Sequence, residues 1–230
     1  MPDFARAILG LLASFLVGSI PSALWVGQLA RGVDVRQHGS GNLGATNVYR
    51  TLGPGLGVTV FLLDALKGFL GVVVGAWIAG SALPGGPAGA GLLGALMAVL
   101  GHILTPFAGF KGGKGAATAL GAMLAVAPVA SALAVVAFFA GGLLTKRISV
   151  GSLAGAVVFP ILLWFAPFAW KGRTTALVGT AVSLLIILRH LPNLRRILAG
   201  TEPVFYLRRP EHEAAPGSKP GDPGASGTRA

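Results

Sequence analysis

Apolar positions along this chain gather into long runs, and polar positions fall in the short gaps between them. The first run covers roughly Phe4 to Val26, and a polar stretch from Gln28 to Pro54 follows. Further runs lie near Gly55–Ala79, Ala88–Phe107, Gly115–Leu144, Val150–Phe168 and Thr174–Leu188. Runs of this length with so few charges read as transmembrane helices. A cleaved signal peptide is the competing reading of the first run. Its apolar stretch is too long for that and only one Arg precedes it, so it reads as a retained helix.

The run from Gly115 to Leu144 is too long for one crossing: as a single helix it would rise about 45 Å against a hydrocarbon core of ~30 Å. Pro128 near its middle implies a turn and two short helices, one of them starting from a re-entrant or interfacial loop. The distribution of basic residues tests this division. With the split, Arg31, Arg36, Arg50, Lys111, Lys114, Lys146, Arg147 and the basic residues of the tail share one side. Arg6, Lys171 and Arg173 fall on the other. Without the split the excess reverses. The expectation is therefore an all-α polytopic membrane protein with seven transmembrane helices, N-terminus outside and C-terminus cytoplasmic. Residues 1–209 form the membrane domain. Residues 210–230, rich in Pro, Gly, Ser and Ala, read as a disordered cytoplasmic tail.

Composition agrees with this pattern. The 230 residues are 53% hydrophobic and 11% charged, with a mean hydropathy of +0.76, whereas a soluble domain would be roughly a quarter charged. The net charge of +11 could suggest nucleic acid, but the basic residues sit between apolar runs, where topology explains them. Cysteine is absent, which removes disulfides, thiolate nucleophiles and cysteine metal sites. His38, His102, His190 and His212 are scattered without metal-ligand spacing. Pairs such as Gly71 with Gly75 and Gly151 with Gly155 read as close helix packing.

Three polar clusters fall on the expected cytoplasmic side. The first, Gly39-Ser-Gly-Asn-Leu-Gly-Ala-Thr-Asn-Val-Tyr-Arg50, contains a formal G-x-G-x-x-G but follows a membrane helix, not a strand, so it is no dinucleotide fold. It carries Ser40, Asn42, Thr46, Asn47 and Arg50, and Thr46 and Arg50 share a face if the segment is helical. The second, Gly109-Phe-Lys-Gly-Gly-Lys-Gly-Ala-Ala-Thr118, sets two lysines among glycines before an apolar run. Backbone N–H groups turned to one point ahead of a helix N-terminus make an anion site. Gly115 stands where a phosphate loop of a nucleotidase needs Ser or Thr, so nucleotide binding is disfavoured. The third cluster runs from Leu188 to Glu202 and holds His190, Asn193, Arg195 and Arg196; alone, it would equally suit a lipid-headgroup anchor. Within the second apolar run, Asp64 and Lys67 are one turn apart. Both a structural ion pair and a catalytic role fit that spacing.

Together these clusters resemble the bacterial membrane glycerol-3-phosphate acyltransferases that use acyl phosphate as donor. The matching pieces are Gly39 to Arg50, Asp64-Ala-Leu-Lys-Gly68, Gly101-His102 through Gly115, and Arg189-His-Leu-Pro-Asn193 through Glu202, in the family's order. The resemblance covers roughly residues 8 to 205. It implies transfer of a fatty acyl group to the sn-1 hydroxyl of glycerol 3-phosphate, giving lysophosphatidic acid and inorganic phosphate. It also implies the cytoplasmic (inner) membrane of a bacterium, membrane lipids as surroundings, and a partner enzyme that forms the acyl phosphate. Carried over by motif, Ser40, Arg50, Lys114, His190 and Asn193 are catalytic. Asn42, Thr46, Asn47, Gly112, Gly113, Gly115 and Ser149 shape or bind substrate, and Asp64, Lys67 and Glu202 are structural. No cofactor or metal and no nucleic acid enters.

The residues suit that chemistry. An acyl phosphate is already activated, so the protein needs mainly to position two anions and stabilise developing charge. Leaving the acyl chain in the bilayer avoids a penalty of about 0.8 kcal/mol per CH₂. No nucleophile–base pair is evident. The His-x-x-x-x-Asp pair of other acyltransferases is absent, since Leu43, Phe107, Arg195 and Gly217 stand five residues after the four histidines. An anion channel would require internal repeats that the chain lacks. A noncatalytic scaffold leaves Ser40, Asn42 and Asn193 without a role.

Overall fold

The structure, a computed structural model, describes residues 1–166 and 172–205. The expected tail at residues 210–230 and Lys171 lie outside the described residues. Among those described there is no strand. The helices are α1 (Asp3–Gly18), α2 (Ser22–Arg31), α3 (Ala45–Leu52), α4 (Pro54–Ala79), α5 (Gly86–Ile103), α6 (Ala116–Val126), α7 (Pro128–Thr145), α8 (Ile148–Phe165), α9 (Arg173–Arg189) and α10 (Leu191–Leu198).

Each expected apolar run is helical, and the break expected at Pro128 falls at Ala127, between α6 and α7. Five helical segments among the described residues are long and apolar enough to cross a membrane, or six if α9 and α10, bent by 55°, form one span. Of the two helices flanking the break only α6 is short, rising about 16 Å at 1.5 Å per residue. A second break divides the first run, because Pro21 carries no N–H and disfavours helix at the residue before it. The chain stops at Gly18 and restarts at Ser22.

Helix α4 is the hub, packing against α1, α3, α5 and α6. Its buried positions Gly57, Val60, Asp64, Lys67, Gly68, Gly71, Gly75 and Ala79 recur at helical spacing, and most are small. A Cβ on Gly68 would strike the Thr118 carbonyl, one on Gly121 the Ala65 carbonyl, and one on Gly71 the Ala98 side chain. Glycine therefore sets the separation of α4 from α6 and α5. Gly151 meets the Phe138 carbonyl in the same way between α8 and α7.

At the break, Ile20 O accepts the Ser22 N–H at 3.0 Å in apolar surroundings, where polar groups need partners. Lys67 Nζ donates to Ile20 O at 2.6 Å and lies 2.7 Å from Asp64 Oδ1. His102 Nδ1 is 3.7 Å from the same carboxylate oxygen and 3.2 Å from Thr118 Oγ1. Asp64, Lys67, His102 and Thr118 are all buried. Asp64 and Lys67 form an ion pair, and that pair is part of a network that ties the α1–α2 break to α4, α5 and α6.

Removing one member of a buried pair leaves an uncompensated charge and costs about 3–5 kcal/mol. Lys67→Met should lower the thermal unfolding midpoint of the detergent-solubilised protein sharply. Asp64→Asn/Lys67→Met should regain part of that loss; a double variant as unstable as the sum of the singles would contradict the pairing.

Candidate active site

Three local structures converge at one end of the bundle. The first polar cluster folds as a turn leading into α3, with Asn47 at its centre. Asn47 Nδ2 donates to Val35 O at 3.0 Å and His38 O at 3.1 Å, and its Oδ1 accepts from Ser40 N at 2.9 Å and Ser40 Oγ at 3.2 Å. Asn47 is buried and so fixes where Ser40 points. Thr46 and Arg50 both lie in α3, one turn apart as the spacing implied.

The glycine–lysine stretch links α5 to α6. Its glycine amides are largely spent internally: Gly112 N–H donates to Ile103 O at 3.1 Å and Gly113 N–H to His102 O at 3.3 Å, capping the end of α5. A Cβ on Gly113 would strike the His102 ring and the Leu43 carbonyl, and one on Gly112 the His102 carbonyl. These two glycines permit close approach. They are not a row of amides facing an anion. Gly115, at φ +83°, turns the chain into α6, whose first N–H groups have no intrahelical acceptor. Lys114 and the start of α6 are therefore the part of the loop that faces the cavity, with the donors an anion site requires.

The third cluster begins where α9 bends into α10 at Pro192. His190 Nδ1 donates to Ile186 O at 2.8 Å, which leaves Nε2 as the ring's acceptor. Asn193 Oδ1 accepts from Lys114 Nζ at 2.5 Å, and Asn193 Nδ2 donates to Glu202 Oε1 at 2.7 Å. Arg196 Nε donates to Glu202 Oε2 at 2.7 Å. Residues 201–205 cross the end of the bundle as a strap. Glu202 O accepts from Arg147 Nε at 3.2 Å, Phe205 N–H donates to Lys146 O at 2.7 Å, and the Phe205 and Tyr49 rings stand 4.7 Å apart. Burial pushes the Glu202 carboxyl up, but the Ser149 hydroxyl and the hydrogen bonds from Asn193 and Arg196 outweigh it and hold the group below the usual carboxylate range.

These pieces enclose a cavity of about 250 Å³. Ser40, Asn42, Thr46, Asn47, Lys114, Gly115, Ser149, His190, Asn193 and Glu202 line its polar end. The remainder is apolar, walled by Leu120 and Met123 of α6, Phe138 of α7, Phe159 of α8, and Val182 and Ile186 of α9. From Gly115 to Met123 it extends about 12 Å along α6. Of the expected site residues, Arg50, Gly112 and Gly113 do not line it. Arg50 sits at the rim, its Nη2 3.4 Å from Pro203 O.

A cationic, hydrogen-bonding end joined to an apolar body is suited to a molecule with a phosphate head and a hydrocarbon tail. The comparisons with known proteins decide its relationships. The family profile for glycerol-3-phosphate acyltransferase matches residues 8–200. This chain belongs to that family. The glycerol-3-phosphate acyltransferase of Bacillus subtilis (strain 168) is 41% identical over 193 residues, covering 84% of this chain and 94% of that one. Glycerol-3-phosphate acyltransferase 2 of Moorella thermoacetica is 42% identical over 195 residues, covering 85% and 95%. Among solved structures, the glycerol 3-phosphate form of PlsY (YgiH), an integral membrane glycerol 3-phosphate acyltransferase, superposes with a TM-score of 0.77 at 34% identity, over 87% of this chain and 96% of that one. Its lysophosphatidic acid form gives 0.75 at the same identity.

The acyltransferase cavity also takes in residues that the sequence reading did not assign to substrate: Asp64, expected to be structural, and His102. Arg196 orients Glu202. The Arg196 signal was available, because Arg196 and Glu202 lie in one short segment, but no periodicity joins residues on either side of a helix end. His102 could be found only from the fold that brings α5 under the glycine loop.

Burial pushes the Lys114 ammonium down to about 8; the Glu202 charge opposes this, and Arg196, Arg50 and Arg189 add to it. The charged form is present below that pH and is lost above it. Affinity for inorganic phosphate, measured by calorimetry on the detergent-solubilised acyltransferase, should fall several-fold between about pH 7 and about pH 9. In Lys114→Arg, which stays charged throughout, the fall should flatten; an equally steep loss would place the titrating group elsewhere.

Proposed function

We propose that this acyltransferase moves a fatty acyl group from acyl phosphate to the sn-1 hydroxyl of glycerol 3-phosphate, releasing lysophosphatidic acid and inorganic phosphate. The observation that carries the reading is the cavity's division into a cationic end at Lys114 and an apolar body between α6 and α9. The solved relative's forms with glycerol 3-phosphate and with lysophosphatidic acid support acceptor and product of the same classes here.

Lys114 and the α6 N-terminus hold the donor phosphate, with the acyl chain in the apolar body. Arg50, at the rim beside Pro203, takes the phosphate of glycerol 3-phosphate. The acceptor hydroxyl attacks the acyl carbonyl directly, the C–O bond to phosphate breaks, and the proton passes to a substrate phosphate oxygen. His190 and Asn193 orient the reacting groups, and Ser40 supports them. No acyl-enzyme forms. Preorganised cations and amides facing the developing charge supply most of the acceleration.

In the membrane, the chain makes seven crossings with the N-terminus outside, so that the cavity mouth and the Lys146–Arg147 loop face the cytoplasm of a bacterium across its inner membrane. Soluble glycerol 3-phosphate then reaches the site from the cytoplasm and the donor chain from the lipid side. The donor comes from a partner enzyme that forms acyl phosphate.

Purified protein given acyl phosphate and glycerol 3-phosphate should yield lysophosphatidic acid and phosphate in equal amounts. Lys114→Ala should reduce turnover by roughly 100-fold or more, the cost of losing one preorganised donor. No product from folded wild type, or a turnover-competent acyl-protein, would overturn the mechanism. Because the chain has no cysteine, single cysteines report topology. Ser81→Cys should react with an impermeant maleimide on intact cells and Arg31→Cys only after lysis; the reverse would invert the orientation.

A further inference from the structure

The strap after α10 is tied down more firmly than a chain end requires. Gly200, at φ +71°, turns the backbone, and the Thr201 and Glu202 N–H groups both donate to Arg196 O, at 2.8 and 3.1 Å. From that turn the strap reaches two separate parts of the site. Toward the α7–α8 loop, Glu202 O accepts from Arg147 Nε and the Phe205 N–H donates to Lys146 O. Toward α3, Arg50 Nη2 donates to Pro203 O at 3.4 Å and the Phe205 ring lies at 45° to Tyr49. Between these ties, the Glu202 side chain lines the polar end of the cavity. The strap is thus fastened on both flanks of the place where the reacting groups meet.

Acyl transfer from an acyl phosphate has a built-in competitor. The carbonyl is as open to water as to the hydroxyl of glycerol 3-phosphate, and donors that stabilise the developing charge serve either attack. Preference for the acceptor therefore needs a wall against water. That wall must also open, because the acceptor is soluble. One ring pair and a few hydrogen bonds meet both demands, since local opening costs far less than unfolding. Arg50 gives the closure a reason to follow acceptor binding. Its guanidinium carries five N–H donors, so it can keep Pro203 O and still face a phosphate.

We infer that the strap is a water-excluding clasp, latched by Phe205 against Tyr49, which makes the acceptor hydroxyl and not water the nucleophile. The inference rests on the acyl-phosphate reading and adds to it how the site chooses between two attacking groups. Phe205 and Tyr49 are positioning residues and touch no reacting atom. With the latch open, the oxygen of water bonds to the acyl carbon and the C–O bond to phosphate breaks. The electron pair leaves with the phosphate, whose oxygen takes the proton of the water. The products are then a free fatty acid and inorganic phosphate.

The readout is the ratio of phosphate to lysophosphatidic acid formed by the full-length protein in detergent, corrected for donor decay without protein. Wild type should give a ratio near one. Phe205→Ala and Tyr49→Ala should each raise it, and donor hydrolysis without glycerol 3-phosphate should increase about two- to tenfold, the shift in opening that loss of an aromatic pair implies. Phe205→Tyr keeps the ring and should stay coupled. So should Lys146→Ala, because the strap bonds to the Lys146 carbonyl and not to its side chain. Deuterium exchange in peptides covering residues 201–205 should quicken in Phe205→Ala. Variants that are slower but keep a ratio near one have lost structure alone, and that result would overturn the inference. A Phe205→Tyr protein as leaky as Phe205→Ala would overturn the ring pair as the latch. If wild type forms no lysophosphatidic acid from acyl phosphate, the functional reading fails. The exchange comparison then decides whether Phe205 holds the strap, and unchanged exchange would sink the latch as well.

Discussion

A buried lysine inside an apolar bundle must find acceptors, and here they are a carbonyl at a helix break and a carboxylate. Pro21 ends the first helix, and Ile20 O accepts both the Ser22 N–H and Lys67 Nζ. The lysine charge in turn requires Asp64, and the carboxylate faces His102. His102 lies beneath the glycine loop, accepting the Gly113 N–H on its own carbonyl. Inside a bilayer each of these groups would be expensive alone, so each fixes the next. A break in the first helix is thereby linked to the position of the loop that carries Lys114.

The same logic explains the glycine pattern. Small residues on α4 and α6 let backbones approach until a single methyl would collide with the opposite carbonyl. The loop glycines extend that packing to the end of the bundle, where two of them fit beneath Leu43 and beside His102. Their amides close off α5, and it is Lys114 and the N-terminus of α6 that face the cavity. One short stretch therefore does two jobs. Its first half braces the bundle and its second half faces the cavity.

The cavity joins two kinds of wall. Ser40, Asn42 and Asn47 come from a turn organised by one buried asparagine, while the apolar body of the cavity is walled by α6 to α9. The strap at residues 201–205 closes the gap between them by bonding to the α7–α8 loop and setting the Phe205 ring at a tilt against Tyr49. Glu202 on this strap aligns Asn193, which is why a residue expected to be structural lines the cavity with the others.

How much was legible in the chain follows from range. Helices and the break beside Pro128 are local properties, and the apolar runs predicted them; the break at Pro21 is equally local but lies inside a run that reads as one helix. The Asp64–Lys67 pair is one turn apart, so its geometry could be anticipated. Ser40, Lys114 and Asn193 could be grouped as polar motifs, but Ser149 was reached through family resemblance alone, and Arg189 read as a topological charge.

What the sequence alone determined was the environment: apolar runs of membrane length, a proline in the longest of them, and polar motifs confined to the gaps. What only the tertiary structure decided was which donors are already occupied. The Gly112 and Gly113 amides are indistinguishable from anion ligands as letters. They become braces because the end of α5 accepts their N–H groups and Arg189 of α9 donates to their carbonyls, and hydrogen-bond satisfaction across such distances is a property of packing.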